Sequence, residues 1–170
     1  MSYLRLTPGQ ATNQEGLLLL RLALWDQSRE IDHVTAVSGQ PGRQVLRRAI
    51  DSLPKSLEPI PEGEYTLGDP DADHGVNWAS GQVGDLSGNW GAGLGPVWIG
   101  IHPNNDNPSR REALGIHLDA NESYSPGTSG CLGIQGTQRL QRLLEWFSGP
   151  NWPRRLQVDW GLGTVVRGGR

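Results

Sequence analysis

Glycine (24) and proline (12) are scattered along all 170 residues and cut the chain into short apolar runs. Between such breakers a run of four to nine apolar residues is long enough for a strand and too short for most helices. The pattern therefore predicts a mainly-β chain of many short strands joined by turns. Apolar residues make up only 35% of the composition, but seven tryptophans add large packing units. A chain of this length fits one domain, residues 1–170, with enough buried surface to fold without metals or disulfides.

Read in order, Tyr3, Leu4 and Leu6 form a first strand ending at a Pro8–Gly9 turn, followed by strands over Leu17–Trp25 and Ile31–Val37. Val45, Leu46, Ala49, Ile50 and Leu53 recur at helical spacing and predict a short amphipathic helix over 43–53. Tyr65 and Leu67 alternate along another strand. Residues 69–95, rich in Gly, Asp, Asn and Ser, form a long loop or short strands that can wall a cleft. GPVWIGIH (95–102), LGIH (114–117) and LGI (132–134) read as strands. Leu140, Leu143, Leu144 and Phe147 mark the buried face of a helix after a Thr137 N-cap, and RRLQVDW begins one or two closing strands.

The formal net charge of −3 gives no reason to expect nucleic acid or an anionic membrane as partner. No run approaches the ~20 apolar residues of a membrane span. The opening MSYLRLTPGQ has none of the marks of a secretory leader, so delivery to any extracytoplasmic site is expected to depend on another agent. One cysteine rules out an intramolecular disulfide.

That cysteine, Cys131, lies in SPGTSGCLGI (125–134), among small residues that leave the backbone open. A thiol that attacks an acyl carbon needs a neighbouring base, most often a histidine. His117 ends the apolar strand LGIH, and thirteen residues separate it from Cys131, enough for a loop that brings the two face to face. The amides of Ser129 and Gly130, unshielded by bulk, are candidate oxyanion donors. His102, in the near copy WIGIHP, is the rival base, at twenty-eight intervening residues, and otherwise lines the cleft. Asp119 shares a strand face with His117 at i+2 and can reach the site, against the plainer reading of a solvated loop carboxylate. Trp78 and Trp90 are candidate walls of the substrate cleft, Tyr124 a candidate lid, and Trp98 a core residue. Arg110 and Arg111 are either solvated or bind a substrate carboxylate. His33 and His74 have no evident partners.

The segment 117–131 resembles the active-site motif of the L,D-transpeptidase (YkuD-type) catalytic domain, in which a His is followed some fourteen to seventeen residues on by Ser/Thr, any residue, Gly and Cys. His117, Thr128, Gly130 and Cys131 fill those positions. PIPEGEYTLG (59–68) is similar to the family's Pro-x-Pro-x-Gly-x-aromatic segment, and AVSG (36–39) to the Val-Ser-x-Gly stretch before it; the pieces occur in the family's order over roughly residues 17–135. The His–Cys spacing is at or slightly below the short end, Ser129 replaces a frequent His, and Gly133 stands where the family usually carries an Arg associated with the substrate's carboxylate. The resemblance implies a β-sandwich-like fold with one or two helices. It also implies a base His oriented by a backbone carbonyl, no cofactor or metal, and the peptidoglycan stem peptide as substrate. Cys131 is then the nucleophile, His117 the base, and Thr128, with His102, Asp119, Tyr124, Trp90 and Trp78, surrounds the substrate. The site of action implied is the bacterial cell wall or periplasm.

Two other classes compete. A zinc peptidase would use His102, His117 and Asp119, with His74 or Cys131, though no H-E-x-x-H spacing is present. A non-catalytic wall-binding or virion module would keep the fold without the chemistry. If His117 activates Cys131, alkylation of the thiol is expected to persist well below pH 8.5.

Overall fold

The computed structural model describes residues 1–72, 76–77, 82–83, 96–119 and 127–165. The strands are β1 (Ser2–Thr12), β2 (Leu18–Asp26), β3 (Arg29–Val37), β4 (Gly63–Ala72), β5 (Val76–Asn77), β6 (Gln82–Val83), β7 (Val97–Pro103), β8 (Leu114–Leu118), β9 (Leu132–Ile134) and β10 (Arg155–Val158), with one helix, α1 (Thr137–Trp146). The mainly-β expectation with one helix holds. The long strands do not divide into two facing sheets; they close into one barrel in the order β1-β10-β4-β7-β8-β9-β3-β2, with β5 and β6 paired apart. Among the described residues no helix is long and apolar enough to cross a membrane.

Alternation decides which side chains fill the barrel. Leu4 and Leu6, Leu20 and Leu22, Val34 and Ala36, Tyr65 and Leu67, Ile99 and Ile101, Ile116 and Leu118, Leu132 and Ile134, and Leu156 and Val158 are all buried in one cluster. Each such pair is spaced by two, so the residues between them point to the outer side of the sheet. Helix α1 adds Leu140, Leu143 and Leu144, with Phe147 beyond it, to the same cluster. Its N-cap is Gly136, with no side-chain cap bond, so Thr137 is the first helical residue and not the cap expected of it.

Two local expectations are corrected. Residues 43–53 contain only a 3-10 turn at Ala49–Asp51, and Val45, Ile50 and Leu53 are exposed. Pro41 and Pro54 confine that segment to a length at which a helix is marginal in water. The segment pairs instead with the strand entry: Ala49 N donates to Glu62 O (3.0 Å) and Glu62 N to Arg47 O (2.7 Å). Likewise β1 runs through Pro8–Gly9, with a register shift between Pro8 and Thr12. It pairs with β10 only over Leu4–Leu6, so Pro8 lies where one edge is open and its missing N–H breaks no ladder.

Glu62, next to Gly63 at the start of β4, anchors the chain end. Its buried carboxylate accepts the amides of Trp160 (2.8 Å), Leu162 (2.9 Å) and Thr164 (2.9 Å) and the Thr164 hydroxyl. Burial raises the acid's pKa, but these donors together outweigh it and leave the carboxyl below its ordinary 4.5. A carboxylate with a depressed folded pKa stabilises fully above the unfolded value and loses that contribution as pH falls through the folded one. Glu62→Gln is therefore expected to lower stability at pH 7 by about 2 kcal/mol, with the gap to wild type narrowing at pH 4. Urea midpoints at the two pH values check both statements; an equal gap at both would remove the charge from the explanation.

Candidate active site

Strands β8 and β9 are parallel, with Ile116 opposite Leu132, His117 opposite Gly133 and Leu118 opposite Ile134. Parallel neighbours cannot be joined by a hairpin and need a connection of a dozen or more residues; residues 119–131 supply it. Because Ile116 and Leu132 face the core, His117 and Cys131 both lie on the outer side. Continuing the register by one residue sets Cys131 beside Gly115, one diagonal step from His117, a backbone spacing of about 7–8 Å that an imidazole can bridge.

His117 is buried and its Nδ1 lies 2.7 Å from Leu118 O. A carbonyl only accepts, so Nδ1 carries the proton and Nε2 keeps its lone pair. Nε2 makes no hydrogen bond among the described residues. The ring lies nearly parallel to Trp98, at 7° and 6.0 Å between centroids. Trp98 is thus half-buried on the outer side of β7 against the base, not in the core. It can lie there because residue 115 is glycine: a Cβ at Gly115 would stand 2.5 Å from the indole. Burial lowers the pKa of His117, opposed by its bond to Leu118 and the charge of Asp119, so at neutral pH it is a free base.

The Cys131 sulfur is 3.6 Å from Ala113 O, as a thiol donor would be. Burial pushes the thiol above its ordinary value, against the Gly115 amide and the positive charge of Arg111. These directions set a neutral thiol and a neutral imidazole at rest, so alkylation of the native thiol is expected above its ordinary pH range rather than well below pH 8.5.

The turn before Cys131 is built by side chains from three segments. Thr128 Oγ1 accepts the amides of Gly39 and Gly130 (3.1 Å each) and donates to Cys131 O (2.6 Å). Ser38 Oγ donates to Gly130 O and accepts Ile60 N, both at 2.9 Å. Arg111 is 4% exposed; its Nη2 donates to Ser129 O and Ser56 O (2.8 Å each), and its Nη1 to Glu58 O (3.1 Å) and Pro59 O (3.4 Å). Gly130 has φ +111°, and a Cβ there would stand 2.1 Å from Arg111 Nη2, so no other residue fits.

These bonds revise several roles. The Gly130 amide is committed to Thr128 and is not a free oxyanion donor; Ser129, which is exposed, keeps an amide with no partner among the described residues. Thr128 is buried and spends its hydroxyl inside the turn, so it builds the site and does not meet a substrate. Asp119 is buried, not solvated: its Oδ2 accepts Gly127 N (3.1 Å) and Gln135 Nε2 (3.0 Å), tying both ends of the connection. His102 is exposed on the outer side of β7 with its Nε2 over Gly100, whose register partner is Gly115. Arg111 is neither solvated nor free for a carboxylate, while Arg110 bonds Ser52 through Nε (3.2 Å). Trp78, Trp90, Tyr124 and His74 lie outside the described residues. Among the described residues no three His, Cys, Asp or Glu side chains gather as a metal site would require.

Ser38 and Arg111 were not expected as site builders. The signal for Ser38 was its place in AVSG; for Arg111 it was only the Arg-Arg pair before the LGIH strand. Comparison with protein-family models, curated proteins and solved structures finds no match to this chain.

Two outcomes follow for the turn and the thiol. Thr128→Val leaves two amides and a carbonyl without their partner and should cost about 2–3 kcal/mol in urea unfolding, most of it recovered in Thr128→Ser. Native Cys131 should react with iodoacetamide only as pH rises past the ordinary thiol range, and at lower pH once the chain is unfolded. Equal profiles for native and unfolded protein would show that burial does not govern the sulfur.

Proposed function

We propose that this chain transfers acyl groups through Cys131, as an L,D-transpeptidase-like enzyme acting on the stem peptides of bacterial peptidoglycan at the cell wall. The observation that supports the reading best is a carbonyl-pinned, neutral imidazole on β8, next to the parallel strand β9 that the chain's only thiol immediately precedes. The motif order that links His117, Thr128, Gly130 and Cys131 to that family supports the substrate class.

In this mechanism the Cys131 S–H proton passes to His117 Nε2 as the sulfur attacks the carbonyl of the third stem residue. A free base beside a neutral thiol suits transfer coupled to attack, since neither partner needs to carry a charge in the buried resting site. The oxyanion of the tetrahedral intermediate is held by turn amides near Gly130 and Cys131, among them that of Ser129, which has no partner among the described residues. Collapse breaks the peptide bond, and the departing D-amino acid takes the proton from His117, leaving a thioester on Cys131. An amine from a second stem then yields a crosslink, or water yields the free acid, with His117 accepting the nucleophile's proton and returning it to sulfur.

Intact-mass spectrometry after incubation with a peptidoglycan tetrapeptide, and separately with a carbapenem, tests this directly. The wild type should gain one acyl adduct and Cys131→Ala none, with His117→Ala acylating about 10²–10⁴-fold more slowly. An adduct that persists in Cys131→Ala, or no adduct with either compound, rejects the proposal.

A further inference from the structure

Among the described residues Arg111 is the one buried cation in the cysteine's surroundings, and the hydrogen bonds of its Nη groups go to main-chain carbonyls: Ser56, Glu58 and Pro59 on one side and Ser129 on the other. Carbonyl dipoles solvate a guanidinium without neutralising it. The Glu58 carboxylate acts on Arg111 through its charge but is already held by Arg47, at 2.6 Å and 3.0 Å. A net positive charge is thus fixed one residue from Gly130 and two from the sulfur, in a place where a Cβ at Gly130 would collide with it.

We propose that Arg111 is a positioning residue for the thiol chemistry: its guanidinium locks the Ser129–Gly130–Cys131 turn against residues 56–59 and holds a fixed positive charge that favours the sulfur when it becomes anionic. The inference rests on the reading of Cys131 as a nucleophile and adds how the anion is made tolerable in a buried site. Among the described residues the charged and titratable groups around the sulfur are Arg111 from the β7–β8 connection, His117 on β8, Asp119 just past β8, and Glu58 behind Arg111. Asp119 is bonded to Gly127 and Gln135, and His117 is neutral, so Arg111 is the group whose removal changes the field at sulfur with the right sign. A strut made only of hydrogen bonds would serve the first role and not the second. The burial of a charge that could have been a neutral amide points to both.

The test is the pH dependence of Cys131 alkylation by iodoacetamide, followed by mass spectrometry with melting temperatures in parallel, on the full chain. Arg111→Met should raise the midpoint by about one pH unit or more, or tenfold less thiolate at a given pH, and should also lower the melting temperature. Arg111→Lys keeps the charge without the fourfold grip, so it should lose stability while holding the midpoint nearer wild type. Glu58→Gln removes the opposing charge and should move the midpoint down. That variant keeps the readout available if Arg111→Met does not fold. A stability loss in Arg111→Met with an unmoved midpoint, or no downward shift in Glu58→Gln, would overturn the charge role. Because alkylation needs no acyl donor, shifted midpoints without any peptide or carbapenem adduct would refute the acyl-transfer reading alone.

Discussion

Of the two parallel pairs in a largely antiparallel barrel, the one between β8 and β9 sets the terms for everything around Cys131. Antiparallel neighbours such as β2 and β3 close through a tight turn, but β8 and β9 run the same way and must be joined by a long connection. That connection leaves β8 just after His117 and enters β9 at Cys131. The thirteen-residue interval is therefore a geometric requirement of the topology as much as a chemical signature. It brings both side chains to the outer side, while the inner side stays apolar.

A long connection over a strand pair would be costly to order on backbone entropy alone. The cysteine turn is held because polar side chains from distant segments converge on its carbonyls and amides. Ser38 comes from the end of β3, Arg111 from the β7–β8 connection, and Thr128 from the turn itself, while residues 56–60 receive the other ends of these bonds. Each is buried, so each unmade bond would leave a desolvated group, and the network is held to one arrangement by that penalty. The same design explains why the turn is rich in small residues. Gly130 gives way to the guanidinium, and Gly39, at φ +79°, lets its carbonyl meet the Thr128 amide while its α-carbon packs on Pro59.

Much of this was legible before the coordinates. Strands at Leu17–Trp25, Ile31–Val37, GPVWIGIH and LGIH could be read from apolar runs bounded by Gly and Pro, because burial on a barrel wall imposes that pattern. The helix after LGI was legible because Leu140, Leu143 and Leu144 recur at its period. Residues 43–53 misled because a 3.6-residue spacing of apolar side chains states a capacity, and pairing with Glu62 outcompeted it. That the segment ending in His117 and the segment following Cys131 are neighbouring strands was legible from order and spacing. The roles of Thr128, Asp119 and Arg111 were not, since a polar residue near a motif looks the same in sequence whether it faces a ligand or a buried carbonyl. Closure into a barrel was equally hidden, because it depends on β1 meeting β10 across the whole chain.

Position 133 shows how the site's own packing limits what it can carry. A side chain there would leave Gly133 toward Thr128 Cγ2, Asp119 Cβ and Val37 Cγ2, at 3.0, 3.1 and 3.3 Å. Those three atoms belong to the turn, to the connection and to the neighbouring strand β3, and the turn and connection are pinned by the bonds that build the site. The room for a long cationic side chain beside the thiol has been filled by the very residues that hold the thiol in place. On the other flank the β7–β8 connection passes behind the turn. Arg111 reaches Ser129 from there, and glycine at 130 is what lets it.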